Sequence, residues 1–82
     1  MPVVLRFKGY KFLFYEADLD EPPHVHARKA GDEAKYWLSP IALARVRGFR
    51  QHELNEIEGI ISAYRDDLLE AWEKEVKKRA NR

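Results

Sequence analysis

Val3-Val4-Leu5-Arg6-Phe7-Lys8-Gly9-Tyr10-Lys11-Phe12-Leu13-Phe14-Tyr15 is the stretch whose reading decides the fold. Two runs rich in β-branched and aromatic residues, 3–7 and 10–15, flank the dipeptide Lys8-Gly9. That spacing predicts a two-residue hairpin, with Gly9 supplying the positive φ that a tight turn requires. The implied register sets Phe7 opposite Tyr10, Leu5 opposite Phe12 and Val3 opposite Phe14. Directly opposed residues share a side of the sheet, so all six form one apolar face. The other face sets Arg6 against Lys11.

Residues 16–23 form an acidic loop ending in Pro22-Pro23, which cannot join an interior ladder. A second hairpin is expected beyond it. Residues 24–29 alternate, Ala30-Gly31-Asp32-Glu33 turns, and residues 34–38 return. This reading opposes Arg28 to Lys35, His26 to Trp37 and Ala27 to Tyr36. Val25, Ala27, Tyr36 and Leu38 then face the core, and His24, His26, Arg28, Lys35 and Trp37 the other way.

Ser39-Pro40 reads as a helix start, a hydroxyl at the N-cap and proline at the first helical position. Gly48 stops that short helix after Arg47. From Gln51 onward, Leu54, Ile57, Ile61, Tyr64, Leu68, Trp72 and Val76 recur at three- and four-residue steps. They fit one long amphipathic helix, or two with a break between Ala63 and Asp66. The expected architecture is therefore α+β in a single domain, 1–82. Two antiparallel hairpins make a four-stranded sheet, followed by a short helix and one long or two consecutive C-terminal helices on one face.

Eighty-two residues support a single compact core, burying roughly 60% of the unfolded surface. Cysteine is absent, which excludes disulfides and thiolate chemistry and suits a cytoplasmic protein. No apolar run approaches the ~20 residues of a membrane helix. The net charge of +1 argues against a dedicated, strongly basic nucleic-acid binder. Charge is nonetheless segregated: residues 53–73 hold seven acids against Arg65 alone, and residues 74–82 carry five bases against Glu75. Acids early and bases late complement a helix dipole.

Leu5-Arg6-Phe7 with Gly9-Tyr10, then Glu21-Pro22-Pro23-His24-Val25-His26, then Ala34-Lys35-Tyr36-Trp37-Leu38 closely resemble a bacterial family, domain of unknown function 4160. Ala44, Arg47-Gly48-Phe49 and the opening Glu53-Leu54-Asn55-Glu56-Ile57-Glu58 match as well. Val46 and Arg50 depart from the pattern, where a polar residue and a capping serine or asparagine are usual. The family has no established activity. Its members commonly occur in two-gene units of the toxin–antitoxin type, so the resemblance implies a small cognate protein encoded nearby.

His24 and His26, two apart on a strand, project to one side at about 6.5–7 Å between Cα atoms. Three readings compete for them. As catalytic candidates they would serve a metal-independent endoribonuclease, with cations for the phosphate and Trp37 for a base. As ligands they would chelate one ion, with a third donor from Glu21, Glu16, Asp18 or His52. As structural groups they would cap the loop, one ring bonded to backbone carbonyls or to Glu21 and the other stacked on Trp37. Spacing fixes only two imidazoles, so the expectation is no metal and no cofactor. Arg28, Lys35, Trp37, Arg6 and Lys11 are the expected binding set, facing a partner protein and, as a second ligand, RNA. Arg45, Arg47 and Arg50 read as a local cluster at a helix end.

Overall fold

The computed structural model describes residues 3–80. Five strands, β1 (Val3–Phe7), β2 (Tyr10–Leu13), β3 (His24–Lys29), β4 (Asp32–Leu38) and β5 (Ile41–Arg47), form an antiparallel meander in the order β1-β2-β3-β4-β5. Helices α1 (Gln51–Ala63) and α2 (Arg65–Ala80) follow, so the fold is α+β.

The two hairpin turns share one geometry. Lys8 and Gly9 have φ of 52° and 84°, and Ala30 and Gly31 have 51° and 86°. Two successive positive φ values match the right-handed twist of the strands they join. In the first hairpin Phe7 pairs with Tyr10 and Leu5 with Phe12, as expected. An irregularity between Val3 and Leu5 then sets Val3 opposite Leu13 instead of Phe14, and β2 ends at Leu13.

The second hairpin turns on Ala30-Gly31 alone, and this corrects the expected register by two residues. Arg28 faces Glu33, His26 faces Lys35, His24 faces Trp37 and Ala27 faces Ala34. Because side chains alternate with period two, the slip leaves every residue on its expected side. Only the partners change.

A second correction concerns residues 40–47, which form β5 and not a helix. Ser39-Pro40 is a cis peptide in the turn from β4 to β5. One extra residue, Ala44, bulges between the pairs Tyr36–Leu43 and Lys35–Arg45. β5 is an edge strand. Leu43 and Val46 are 43% and 42% exposed.

Both helices lie on one side of the sheet. Leu54, Ile57, Ile60 and Ile61 of α1 and Leu68 and Trp72 of α2 bury against Tyr10, Phe12, Phe14, Val25, Ala27, Tyr36 and Leu38. The amphipathic stripe is read as expected as far as Trp72, while Val76 stays exposed. The chain breaks between the helices at Tyr64, one of the two expected alternatives. Arg50 at the N-cap of α1 has no acceptor to offer, and Glu53 compensates by accepting from the Arg50 backbone N–H at 3.0 Å. Gly48, at φ 95°, joins β5 to α1.

Candidate functional site

The side of the sheet away from the helices carries the expected binding residues. Away from the irregularities in β1 and β5 its strands alternate, so charged residues stack into a cross-strand row. Arg6 pairs with Lys11, Lys11 with Arg28, Arg28 with Glu33, and Glu33 with Arg47. The row crosses all five strands, about 19 Å at roughly 4.8 Å per strand. Four of its five members are cations. A second row runs Leu13, His26, Lys35, Arg45.

Neutralisation of these cations is uneven. Glu33 lies 3.7 Å from Arg28 Nε and 3.9 Å from the Arg47 guanidinium, both long contacts. Lys35 is largely covered: its ammonium meets Glu21 at 2.6 Å and sits 4.6 Å from the Trp37 ring centroid. That corrects the expectation of an exposed Arg28–Lys35 pair. Arg6, Lys11 and Arg45 are exposed and face no acid among the described residues. A groove of about 470 Å³ opens beside Lys11 and Arg28, lined also by Lys29 and Tyr15 together with Val3 and Leu13.

His24 and His26 project to this side, as expected, but do not surface there. Their rings are 0% and 1% exposed. The 16–23 loop, opened by a 3₁₀ turn at Glu16–Asp18, folds over them and is fixed at several points. Asp18 N–H donates to Tyr15 O, Glu21 N–H to Asp18 O, and Leu38 N–H to Pro23 O, each at 3.0 Å. Arg79 of α2 holds Asp20 at 3.1 Å.

Every imidazole nitrogen is engaged. His24 Nδ1 lies 3.0 Å from Pro22 O, and His26 Nδ1 lies 3.0 Å from Glu33 Oε2. The two Nε2 atoms converge on one oxygen, Asp18 Oδ2, at 3.3 and 3.2 Å. Aromatic rings close the remaining sides: Tyr15 edges onto His26 at 4.4 Å, and Trp37 and Trp72 meet His24 at 5.5 and 4.9 Å. Burial holds the His26 imidazole below its ordinary pKa, outweighing its hydrogen bond to Asp18. Burial works to raise the Asp18 carboxyl, yet the bonds to His24 and His26 outweigh it and hold the group low.

This arrangement redistributes the candidates. Arg6, Lys11 and Arg28 are brought together on an open surface. Trp37 is half-covered, packed between His24 and Lys35, and so offers no free stacking platform. Both histidines are enclosed away from any ligand lying on the cationic row. Arg45 and Arg47 join the face, because their alternation belongs to a strand and not to a helix end. The signal for them was the Arg45-x-Arg47 spacing itself. Glu33 was missed as the acid serving His26, because only the corrected turn sets it in β4.

The family model described as domain of unknown function (DUF4160) matches residues 9–73, most of the chain. The protein belongs to that family. No curated protein and no solved structure matches the chain. No helix among the described residues is long and apolar enough to cross a membrane.

Proposed function

We propose that the protein is a binding module that takes an acidic segment of a partner protein across the open face of its sheet. The resemblance to members of two-gene units implies that this partner is a small protein encoded nearby. The observation that carries the reading is the row Arg6–Lys11–Arg28–Glu33–Arg47. Directly opposed like charges destabilise an antiparallel ladder by up to about 1 kcal/mol per pair. Three consecutive cations on neighbouring strands are thus a stability cost that an anionic ligand offsets.

An acidic protein segment is favoured over RNA because the aromatic rings nearest the row are already committed. Trp37 packs on His24 and Tyr15 on His26. Single-stranded nucleic acid binders present open rings on which bases stack. A ribonuclease would need His24 or His26 at a substrate hydroxyl, and both rings are enclosed.

The test is co-expression with the neighbouring gene product, followed by affinity measurements over a salt series for that product and for a single-stranded RNA oligonucleotide. The parent should bind the protein product with an affinity that falls as salt rises, and RNA only weakly. The double substitution Lys11→Gln, Arg28→Gln, which removes the opposed cations without opposing new like charges, should abolish protein binding without lowering the melting temperature. A double variant that binds its neighbour as well as the parent refutes the reading. RNA bound more tightly than the protein product replaces it with the nucleic-acid alternative.

A further inference from the structure

Each nitrogen and oxygen at the histidine pair can be assigned a hydrogen, and the assignment does not close. Pro22 O is a carbonyl and Glu33 a carboxylate, so each only accepts. His24 Nδ1 and His26 Nδ1 must therefore both carry a proton to make their 3.0 Å contacts. In the neutral tautomers that follow, both Nε2 atoms are bare lone pairs, and both point at Asp18 Oδ2. Three acceptors then converge with no hydrogen among them.

Two kinds of arrangement resolve this. Added protons close it, either shared between a ring and the Asp18 or Glu33 carboxyl or both on the rings, which sets two buried imidazolium ions side by side with centroids 5.2 Å apart. Alternatively, one cation replaces both protons and meets all three lone pairs at once. We propose that Asp18, His24 and His26 form a binding site for a divalent transition-metal ion of the zinc type.

The geometry suits such an ion. The three ligand atoms lie within 4.8 Å of one another. In tetrahedral coordination at about 2.0–2.1 Å, neighbouring ligand atoms stand about 3.3–3.4 Å apart. The Asp18 contacts of 3.3 and 3.2 Å nearly reproduce that edge. The outer contacts suit it equally. Histidine ligands almost always donate their remaining N–H to a carboxylate or a backbone carbonyl, which fixes the tautomer and aims the lone pair. Glu33 does this for His26 and Pro22 for His24. Asp18 keeps 26% of its side-chain surface, an approach for the ion and for water as a fourth ligand. With no thiolate in the set, the donors favour zinc-class ions over softer ones. The ion ties the 16–23 loop to β3.

The experiment uses the full chain after dialysis against a chelator, titrated with Zn²⁺ and separately with Mg²⁺. One equivalent of Zn²⁺ should bind with a Kd below about 1 µM and raise the melting temperature, while Mg²⁺ does neither. Asp18→Asn separates the two arrangements. Its amide donates both hydrogens to the bare Nε2 atoms, so it keeps the fold while Zn²⁺ affinity falls at least about tenfold. Nitrogen-15 NMR of the parent supplies a second measurement should that variant not fold. Zn²⁺ should shift His24 Nε2 and His26 Nε2 and leave His52 unmoved. Absence of Zn²⁺ binding, equal affinity for Mg²⁺, undiminished affinity in Asp18→Asn, or a response confined to His52 each overturns the proposal.

Discussion

Lys11 stands between two arginines, opposite Arg6 on β1 and opposite Arg28 on β3, with no acid facing it among the described residues. Nothing in the packing requires a cation there, since its side chain is exposed. Replacing Lys11 with glutamate converts two repulsive cross-strand pairs into attractive ones. Lys11→Glu should raise stability by about 0.5–1 kcal/mol at low salt, with the gain fading as salt screens the pairs. Binding of the acidic partner should weaken in the same variant. Chemical denaturation and affinity measured on one preparation check both signs.

The covered cation behaves differently. Lys35 holds Glu21 at 2.6 Å and lies over Trp37, so Lys35→Glu loses both contacts and turns like charge towards Glu21. Stability should fall by about 1–2 kcal/mol, whatever happens to ligand binding. A melting temperature equal to the parent's would show that Lys35 does not hold the 16–23 loop.

Two glycines predict opposite outcomes. Gly48 sits at φ 95°, and a Cβ there would run into the carboxylate of Asp32. Gly48→Ala should destabilise by roughly 1–3 kcal/mol, from left-handed strain and the contact together. Gly59 lies inside α1 with nothing within 4 Å of an added Cβ. Gly59→Ala should stabilise by roughly 0.5–1 kcal/mol, because alanine loses less backbone entropy in a helix. Urea midpoints of the two variants should fall on either side of the parent.

Tyr10 gives the fold an alkaline limit. Burial comes first in pushing its phenol up to about 12, and the 2.8 Å hydrogen bond to Glu56 adds to it. A raised folded-state pKa contributes stability that is complete below the unfolded value near 10 and is lost as pH rises towards 12. Tyr10→Phe should lessen that loss in stability-versus-pH curves between pH 10 and 12, leaving the part due to Tyr36, whose phenol burial also raises. At neutral pH it should cost about 0.5–1.5 kcal/mol for the missing hydrogen bond.

Most of the fold was legible because strand faces follow from alternation alone. Phe12, Val25, Ala27, Tyr36 and Leu38 were placed on the core side, and their sides survive a register error of two residues. The error itself came from the turn. Ala30 at φ 51° is a conformation alanine seldom adopts, so Asp32 and Glu33 looked better suited to the bend. β5 was misread for a related reason. Ser39-Pro40 resembles a helix cap, and Ala42 and Ala44 dilute the alternation of Ile41, Leu43, Arg45, Val46 and Arg47. The bulge at Ala44 then breaks the period that marks a strand. At the site, alternation put the histidines and cations on one side. It could not show that residues 16–23 fold back over the histidines, because that closure depends on Asp18 turning onto both rings and on Asp20 and Glu21 meeting Arg79 and Lys35, partners remote in sequence.

The two indoles of the chain, Trp37 on β4 and Trp72 on α2, approach His24 from different elements. Every tryptophan photon the protein emits therefore originates beside one imidazole. Intrinsic fluorescence excited near 295 nm is a built-in optical probe of the histidine pair, with no dye or label attached. Trp37→Phe and Trp72→Phe would resolve the signal into a sheet-side and a helix-side component, each reporting the same ring from its own direction.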